Sequence, residues 1–327
     1  MDWLADRFGR RFPYLRLSVI EACNFSCSYC LPHGYRAVPG RPRALEVDEI
    51  GRLLRAFAAL GMRKLRLTGG EPSLRRDLAQ IIATAAAIPG ITRIAITTNG
   101  CILRRHLTKW QAAGLGALNV SVDSLDRECF AAITGHDRLD DILTGIDLAL
   151  AASLPAVKIN AVLLRDLNDA QMLAWLDYLR ERPLSLRFIE LMQTGNNLDY
   201  FRRHHMRAQA PQEELQRNGW QPLPRATDAG PTREYGHPDY LGRIGIIAPY
   251  STDFCAGCNR LRVTAAGDLR LCLFGNVGIA LRPLLQSDAQ HEELCAMIAR
   301  QLGLKQAGHG LHEGLTDLTP HLASIGG

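Results

Sequence analysis

The chain has 327 residues, 47% of them apolar and 22% charged, which suits one large α/β domain or a domain with an extension. A formal net charge of +5 permits an anionic ligand but argues against broad nucleic-acid binding, and no apolar run approaches a membrane span. Nine cysteines, odd in number and unevenly spread, do not read as a disulfide framework and fit a reducing cytoplasm.

The first strand is expected over 14–20, rich in Leu, Val and Ile, and Cys23, Cys27 and Cys30 follow it as a C-x3-C-x2-C run. No fourth cysteine occurs before Cys101. A four-iron cluster normally takes one thiolate per iron, so three thiolates leave one iron open to a cofactor or substrate. A zinc fragment is the alternative at this stage.

A helix is expected over 46–60, where Leu53, Leu54, Phe57 and Leu60 recur at helical spacing. A strand at 63–67 leads into Thr68-Gly69-Gly70-Glu71-Pro72, with a helix near 77–87. Strands at 94–97 and 117–122 end at Asn99-Gly100 and Asp123-Ser124. A helix around 140–152, a strand at 156–164, a helix near 169–180 and a strand at 184–191 complete the alternation. Six strands each followed by a helix or loop imply a parallel sheet with right-handed crossovers. That is too few for an eight-unit barrel and enough for an open, partial one. Barrel enzymes carry their chemistry on loops after the strands, where the cysteine run, Gly69-Gly70-Glu71, Asn99-Gly100, 121–124 and 190–192 all fall.

Beyond 191 the pattern loosens, so 193–240 reads as a connector with a short helix, and His204 and His205 read as surface residues. Cys101, Cys129 and Cys295 read as structural or incidental. Cys255, Cys258 and Cys272 form a second triplet, C-x2-C-x13-C. A structural zinc there needs a fourth ligand such as His237; the other reading is a second cluster with an open iron. Arg260 and Arg262 follow in strand-like alternation and so share a face, where their planar forks suit phosphate oxygens. Arg16 lies in the first strand, and Lys64 and Arg66 alternate in the second. No Walker-type loop is present, so side-chain cations must hold the phosphates of any nucleotide.

The first run resembles the signature of radical S-adenosylmethionine (SAM) enzymes, in which SAM occupies the open iron. Both triplets together, with the segments between them, resemble the GTP 3′,8-cyclase family, which starts molybdenum cofactor biosynthesis. The likeness covers nearly the whole chain. It runs through 15–19, 23–32, 66–72, 97–100, 119–124, 187–192, 255–262 and 271–274 to Ile325-Gly326-Gly327.

The resemblance implies an α/β fold, a partial (β/α)6 TIM barrel with a C-terminal region closing the barrel mouth. The core would span 1–220, and 221–327 would carry the second cluster and the GTP-binding arginines. Two 4Fe–4S clusters would face each other across a cavity, with SAM on the first. Tyr29, Gly70, Ser121 and Met192 match SAM-contacting positions, while Arg16, Arg66, Thr97, Lys158, Arg260 and Arg262 match GTP-binding ones. The terminal Gly326 and Gly327 would reach towards the active site. Implied partners are GTP, an electron donor and cyclic pyranopterin monophosphate synthase downstream, with a homodimer left open and no membrane or nucleic acid. The resemblance departs locally at Glu21-Ala22, where many relatives carry Asp and a polar residue. The rival readings are another radical SAM enzyme with an auxiliary cluster, and a non-catalytic iron–sulfur or zinc protein.

Overall fold

The computed structural model describes residues 4–224, 230–274, 278–313 and 323, so Gly326 and Gly327 lie outside the described residues. The expected alternation is present as β1 (Tyr14–Ser18), α1 (Val47–Ala59), β2 (Lys64–Thr68) and α2 (Leu78–Ala86). It continues through β3 (Arg93–Thr98), α3 (Leu103–Ala112), β4 (Ala117–Ser121), α4 (Arg127–Thr134) and α5 (Leu139–Ala151). Then come β5 (Val157–Leu163), α6 (Met172–Leu179) and β6 (Ser185–Glu190). The expected connector is more structured than its sequence implies. It holds α7 (Leu198–His204), α8 (Gln209–Arg217), β7 (Gln221–Pro222) and β8 (Arg233–Gly236), followed by β9 (Arg243–Ile247). The remainder comprises β10 (Arg260–Val263), β11 (Asp268–Arg270), β12 (Ile279–Ala280) and α9 (His291–Leu302).

Strand chemistry sorts the two faces of the sheet. In β1 and β2, Leu15, Leu17, Leu65 and Leu67 are fully buried, and they alternate with Tyr14, Arg16, Lys64 and Arg66. The helices cover the apolar face: Ile50, Leu53, Leu54 and Phe57 form the buried stripe of α1. The polar face is left to line an interior.

The strands form one sheet in the order β12-β11-β10-β1-β2-β3-β4-β5-β6-β9-β8-β7. From β10 to β9 every pairing is parallel, so the C-terminal half adds one parallel strand at each edge of the six expected ones. Antiparallel strands extend both ends, making the sheet mixed. Among the described residues its two ends are not hydrogen-bonded to each other, so the barrel is open. The sheet nevertheless curls. The charges of Lys64 on β2 and Arg187 on β6 act on one another although three strands separate them in the order.

Candidate active site

The first cysteine loop is held from both sides by backbone. Past the ends of β1 and β2 the ladder continues, with Gly70 N donating to Ile20 O (2.8 Å) and Glu71 N to Ala22 O (2.8 Å). The approach is so close that a Cβ on Gly70 would collide with the carbonyl oxygens of Glu21 and Ala22. On the other side, Ser26 N and Ser28 N donate to Thr134 O (3.1 Å) and Ile133 O (2.8 Å) at the end of α4. Gly135 caps that helix at φ +75°, and a Cβ there would strike Ser26 Oγ. The departure at Glu21-Ala22 costs nothing visible, since Glu21 pairs with Arg41 and Ala22 serves through its carbonyl.

Buried Glu71 ties this loop to the next one. It accepts from Ser73 N (2.9 Å), Thr98 Oγ1 (2.6 Å) and Asn99 N (2.7 Å), and Asn99 Nδ2 donates to Asn24 Oδ1 (2.9 Å). Gly70→Ala should therefore push the cysteine loop out of place. Iron bound per chain is expected to fall towards the content of one cluster while the helical circular-dichroism signal stays near wild type.

Tyr29 OH donates to Asp123 Oδ2 (3.0 Å), and Val162 N donates to Asp123 Oδ1 (2.8 Å). Burial raises the Asp123 carboxyl to about 6 despite these two donors. Asn197 Nδ2 reaches both Met192 O (3.0 Å) and Tyr29 O (3.4 Å). Tyr29 and Met192 are thus joined around the end of β4, whose last residue is Ser121. Sequence reasoning missed Asn197, which lies in a stretch read as a connector.

The first triplet is a costly place for an uncompensated thiolate. Burial pushes Cys27 well up, and the charges of Asp123, Cys30 and Cys23 push the same way. Burial also raises Cys23. Thiolates in such a place need a compensating cation, and thiophilic irons supply it.

The second triplet is assembled by topology. β11 returns antiparallel beside β10, pairing Arg270 with Arg262, so Cys272 comes back towards Cys258. Burial raises Cys255, and the charges of Cys272 and Cys258 add to that effect. At Cys258 burial acts upwards too, but Lys305 and Arg260 outweigh it and the thiol is lowered. Arg10 Nη1 donates to Cys255 O (3.0 Å), and Lys305 Nζ to Leu271 O. His237, the candidate fourth zinc ligand, instead packs against the rings of Trp220 (5.6 Å) and Tyr240 (5.1 Å).

Because β10 runs parallel to β1, the two triplets lie at opposite ends of the strands: the first follows β1, and Cys255 and Cys258 precede β10. Between them lies a cavity of about 670 Å³. Arg16, Arg66 and Arg262 occupy one rung of the ladder facing it, and Tyr14, Lys64, Arg93 and Arg260 the rung before. Cys255, Cys258, Cys272, Lys158 and Met192 also line it. Thr97, two strands from Lys158 in the same register, has a buried Oγ1 with no hydrogen-bond partner among the described residues, and the same holds for Arg66 Nε. Thr97, the first triplet, Tyr29, Gly70 and Ser121 are not on the cavity wall, so Met192 is where the two groups of residues meet.

Concentrated cations perturb one another. Burial, then Arg262, lowers Arg16 well below the usual guanidinium range, and burial with Arg260 brings Arg262 to about 10. Burial and Arg187 lower Lys158 to about 7. Burial acts to raise Tyr14, yet Arg66, Arg16, Lys64 and Arg260 together bring it down to about 8. A cavity so arranged is completed by a polyanion. His205 is not the free surface residue its sequence suggests: its Nε2 meets Glu190 Oε1 at 2.9 Å, and its ring stacks on Phe201.

Comparison with known proteins agrees with this layout. The Radical SAM superfamily model matches residues 17–179 and the Molybdenum Cofactor Synthesis C model residues 184–311. A GTP 3′,8-cyclase of Stenotrophomonas maltophilia (strain K279a) is 68% identical over 100% of both chains. One from Yersinia pestis is 52% identical, also over 100% of both. Among solved structures, Streptococcus suis SuiB bound to S-adenosylmethionine resembles the chain with a TM-score of 0.61 at 13% identity, covering 87% of this chain and 68% of that one. That likeness concerns the fold alone.

Proposed function

The chain belongs to the GTP 3′,8-cyclase family of radical SAM enzymes, and we infer from this that it converts GTP to (8S)-3′,8-cyclo-7,8-dihydroguanosine 5′-triphosphate. This is the first step of molybdenum cofactor biosynthesis, and it uses SAM and two 4Fe–4S clusters. The observation that best supports it is the pair of cation rungs lying between two cysteine triplets at opposite strand ends.

In this reading Cys23, Cys27 and Cys30 hold one cluster, and Cys255, Cys258 and Cys272 the other. Tyr29, Gly70, Ser121 and Met192 surround SAM, while Arg16, Arg66, Thr97, Lys158, Arg260 and Arg262 bind GTP. When bound, the first cluster and SAM would supply the radical chemistry that removes the ribose C3′ hydrogen and so allows C3′ to join guanine C8. The chain's own contribution is positioning. The arginine rungs fix the triphosphate and thereby the ribose. The functional division falls near 220. We further assign the cytoplasm as the compartment, an electron donor to complete turnover, and cyclic pyranopterin monophosphate synthase as consumer of the product. No helix among the described residues is long and apolar enough to cross a membrane.

Arg260→Ala and Arg262→Ala should each weaken GTP binding roughly 10- to 100-fold, since a hydrogen bond to a charged group contributes about 1.5–3 kcal/mol. The loss should grow from GMP to GTP. Calorimetric titration with the nucleotide series checks this; equal losses for guanosine and GTP point to a cluster or folding defect.

Lys158 adds a pH signature. Its value of about 7 in the free chain must rise when phosphates arrive, because a nearby anion favours the charged form. Binding therefore takes up a proton above pH ~7. Affinity is full below that value and declines as pH rises through the higher, bound-state value. Lys158→Met should flatten this decline, as read by titration in buffers of differing ionisation enthalpy.

A further inference from the structure

At the N-terminal ends of the strands a second cavity, of about 750 Å³, lies beside the basic one. Its wall comes from residues at the starts of β1, β2, β3 and β10, which are neighbours in the sheet. Tyr14, Lys64, Arg93 and Cys258 line both cavities, so the two adjoin across these side chains. Arg10, Arg11 and Arg63 join Lys64 and Arg93 in the outer wall, and no carboxylate is among its lining residues. Arg10 has structural work, gripping Asp6 (2.6 Å) and the backbone oxygens of Cys255, Gln306 and Ala307. Arg11, Arg63 and Arg93 are exposed at the rim.

The other end of the strands has the opposite character. Glu71, Asp123 and Glu190 are all buried there, just after β2, β4 and at the end of β6. Those carboxylates are enclosed and hydrogen-bonded, whereas the described lining of the vestibule offers exposed cations and no carboxylate. A concavity lined by one sign of charge focuses its field and raises the on-rate of an opposite ligand by about 10- to 1000-fold.

We propose that this vestibule is the entry route for the nucleoside triphosphate, which reaches the inner cavity through the N-terminal mouth of the barrel, drawn by Arg11, Arg63 and Arg93. The proposal rests on the reading of GTP as substrate and adds the direction of approach. The concave shape suits a small polyanion better than the convex face of an acidic protein.

The test is stopped-flow binding of N-methylanthraniloyl-GTP to the reconstituted full chain. Arg11→Glu combined with Arg63→Glu should slow association roughly tenfold or more at low salt. Dissociation should stay within about twofold, and the difference should vanish at 1 M salt, where screening acts over about 3 Å. The neutral pair Arg11→Gln and Arg63→Gln should show a smaller slowing of the same kind, which guards against a folding defect in the reversed pair. A charge-matched control on the outer helix α3, Arg105→Glu with Lys109→Glu, should associate at nearly the wild-type rate. Unchanged association in the vestibule variants, equal slowing in the control, or an effect confined to dissociation would each overturn the route. A wild-type chain that binds neither this analogue nor, by calorimetric titration, unlabelled GTP would instead remove the GTP reading, and the route with it.

Discussion

Cys27→Ser should make no 5′-deoxyadenosine above background when reduced in the presence of SAM. The first triplet has no spare ligand: the sequence holds no other cysteine between Cys30 and Cys101. A serine hydroxyl is a poor donor to thiophilic iron, so one substitution removes a third of the protein's hold on the cluster. The fold should survive, because the loop is anchored by its backbone and not by the thiol. Cys30 N and Leu31 N both donate to Cys27 O (2.9 Å each), and Gly70, Ser26 and Ser28 clamp the flanks. Removing a buried thiol that burial holds neutral does not strip the core of a charge. The variant should therefore melt close to the metal-free wild-type protein while losing SAM cleavage. Cleavage at the normal rate would show that the triplet is not the SAM-activating site.

Cys255→Ser, Cys258→Ser or Cys272→Ser should abolish conversion of GTP yet leave slow, uncoupled SAM cleavage. The two triplets sit at opposite ends of parallel strands, and the second is built by β10 and β11, so its loss leaves the loop after β1 intact. About four irons per chain should remain, the content of one four-iron cluster. GTP affinity should drop as well, since Cys258 lies beside Arg260 and shares its charge environment. Stoichiometric zinc with a single cluster in the wild-type protein would contradict the assignment of this site.

The early strands were legible because each combines an apolar stretch with a turn signal, and the boundaries of β1 to β6 fall within two residues of those expected. Their alternation also foretold which arginines face inward: Arg16, Arg66, Arg260 and Arg262 do line one cavity. What stayed hidden is non-local. β9 is five residues long and joins β6 only after an excursion of two helices and two short strands, so no local periodicity announces it. Arg260 and Arg262 read as strand, but nothing nearby in sequence says that their partner is β1, more than 240 positions away. That pairing places the second triplet at the strand starts, so loops after the strands carry only half of the site. α3, with three arginines and lysines in ten residues, hides its buried Leu103, Leu107 and Trp110 among polar neighbours. His205 looked like a surface residue because its partner Glu190 closes a strand fifteen positions earlier.

The most direct measurement is product analysis of the anaerobically reconstituted, reduced chain given SAM and GTP carrying deuterium at ribose C3′. Equal amounts of 5′-deoxyadenosine and the 3′,8-cyclised nucleotide are expected, with the deuterium recovered in the 5′-deoxyadenosine. Unlabelled 5′-deoxyadenosine with GTP returned unchanged would contradict the assignment of GTP as substrate, and no 5′-deoxyadenosine at all would contradict radical SAM chemistry in this chain.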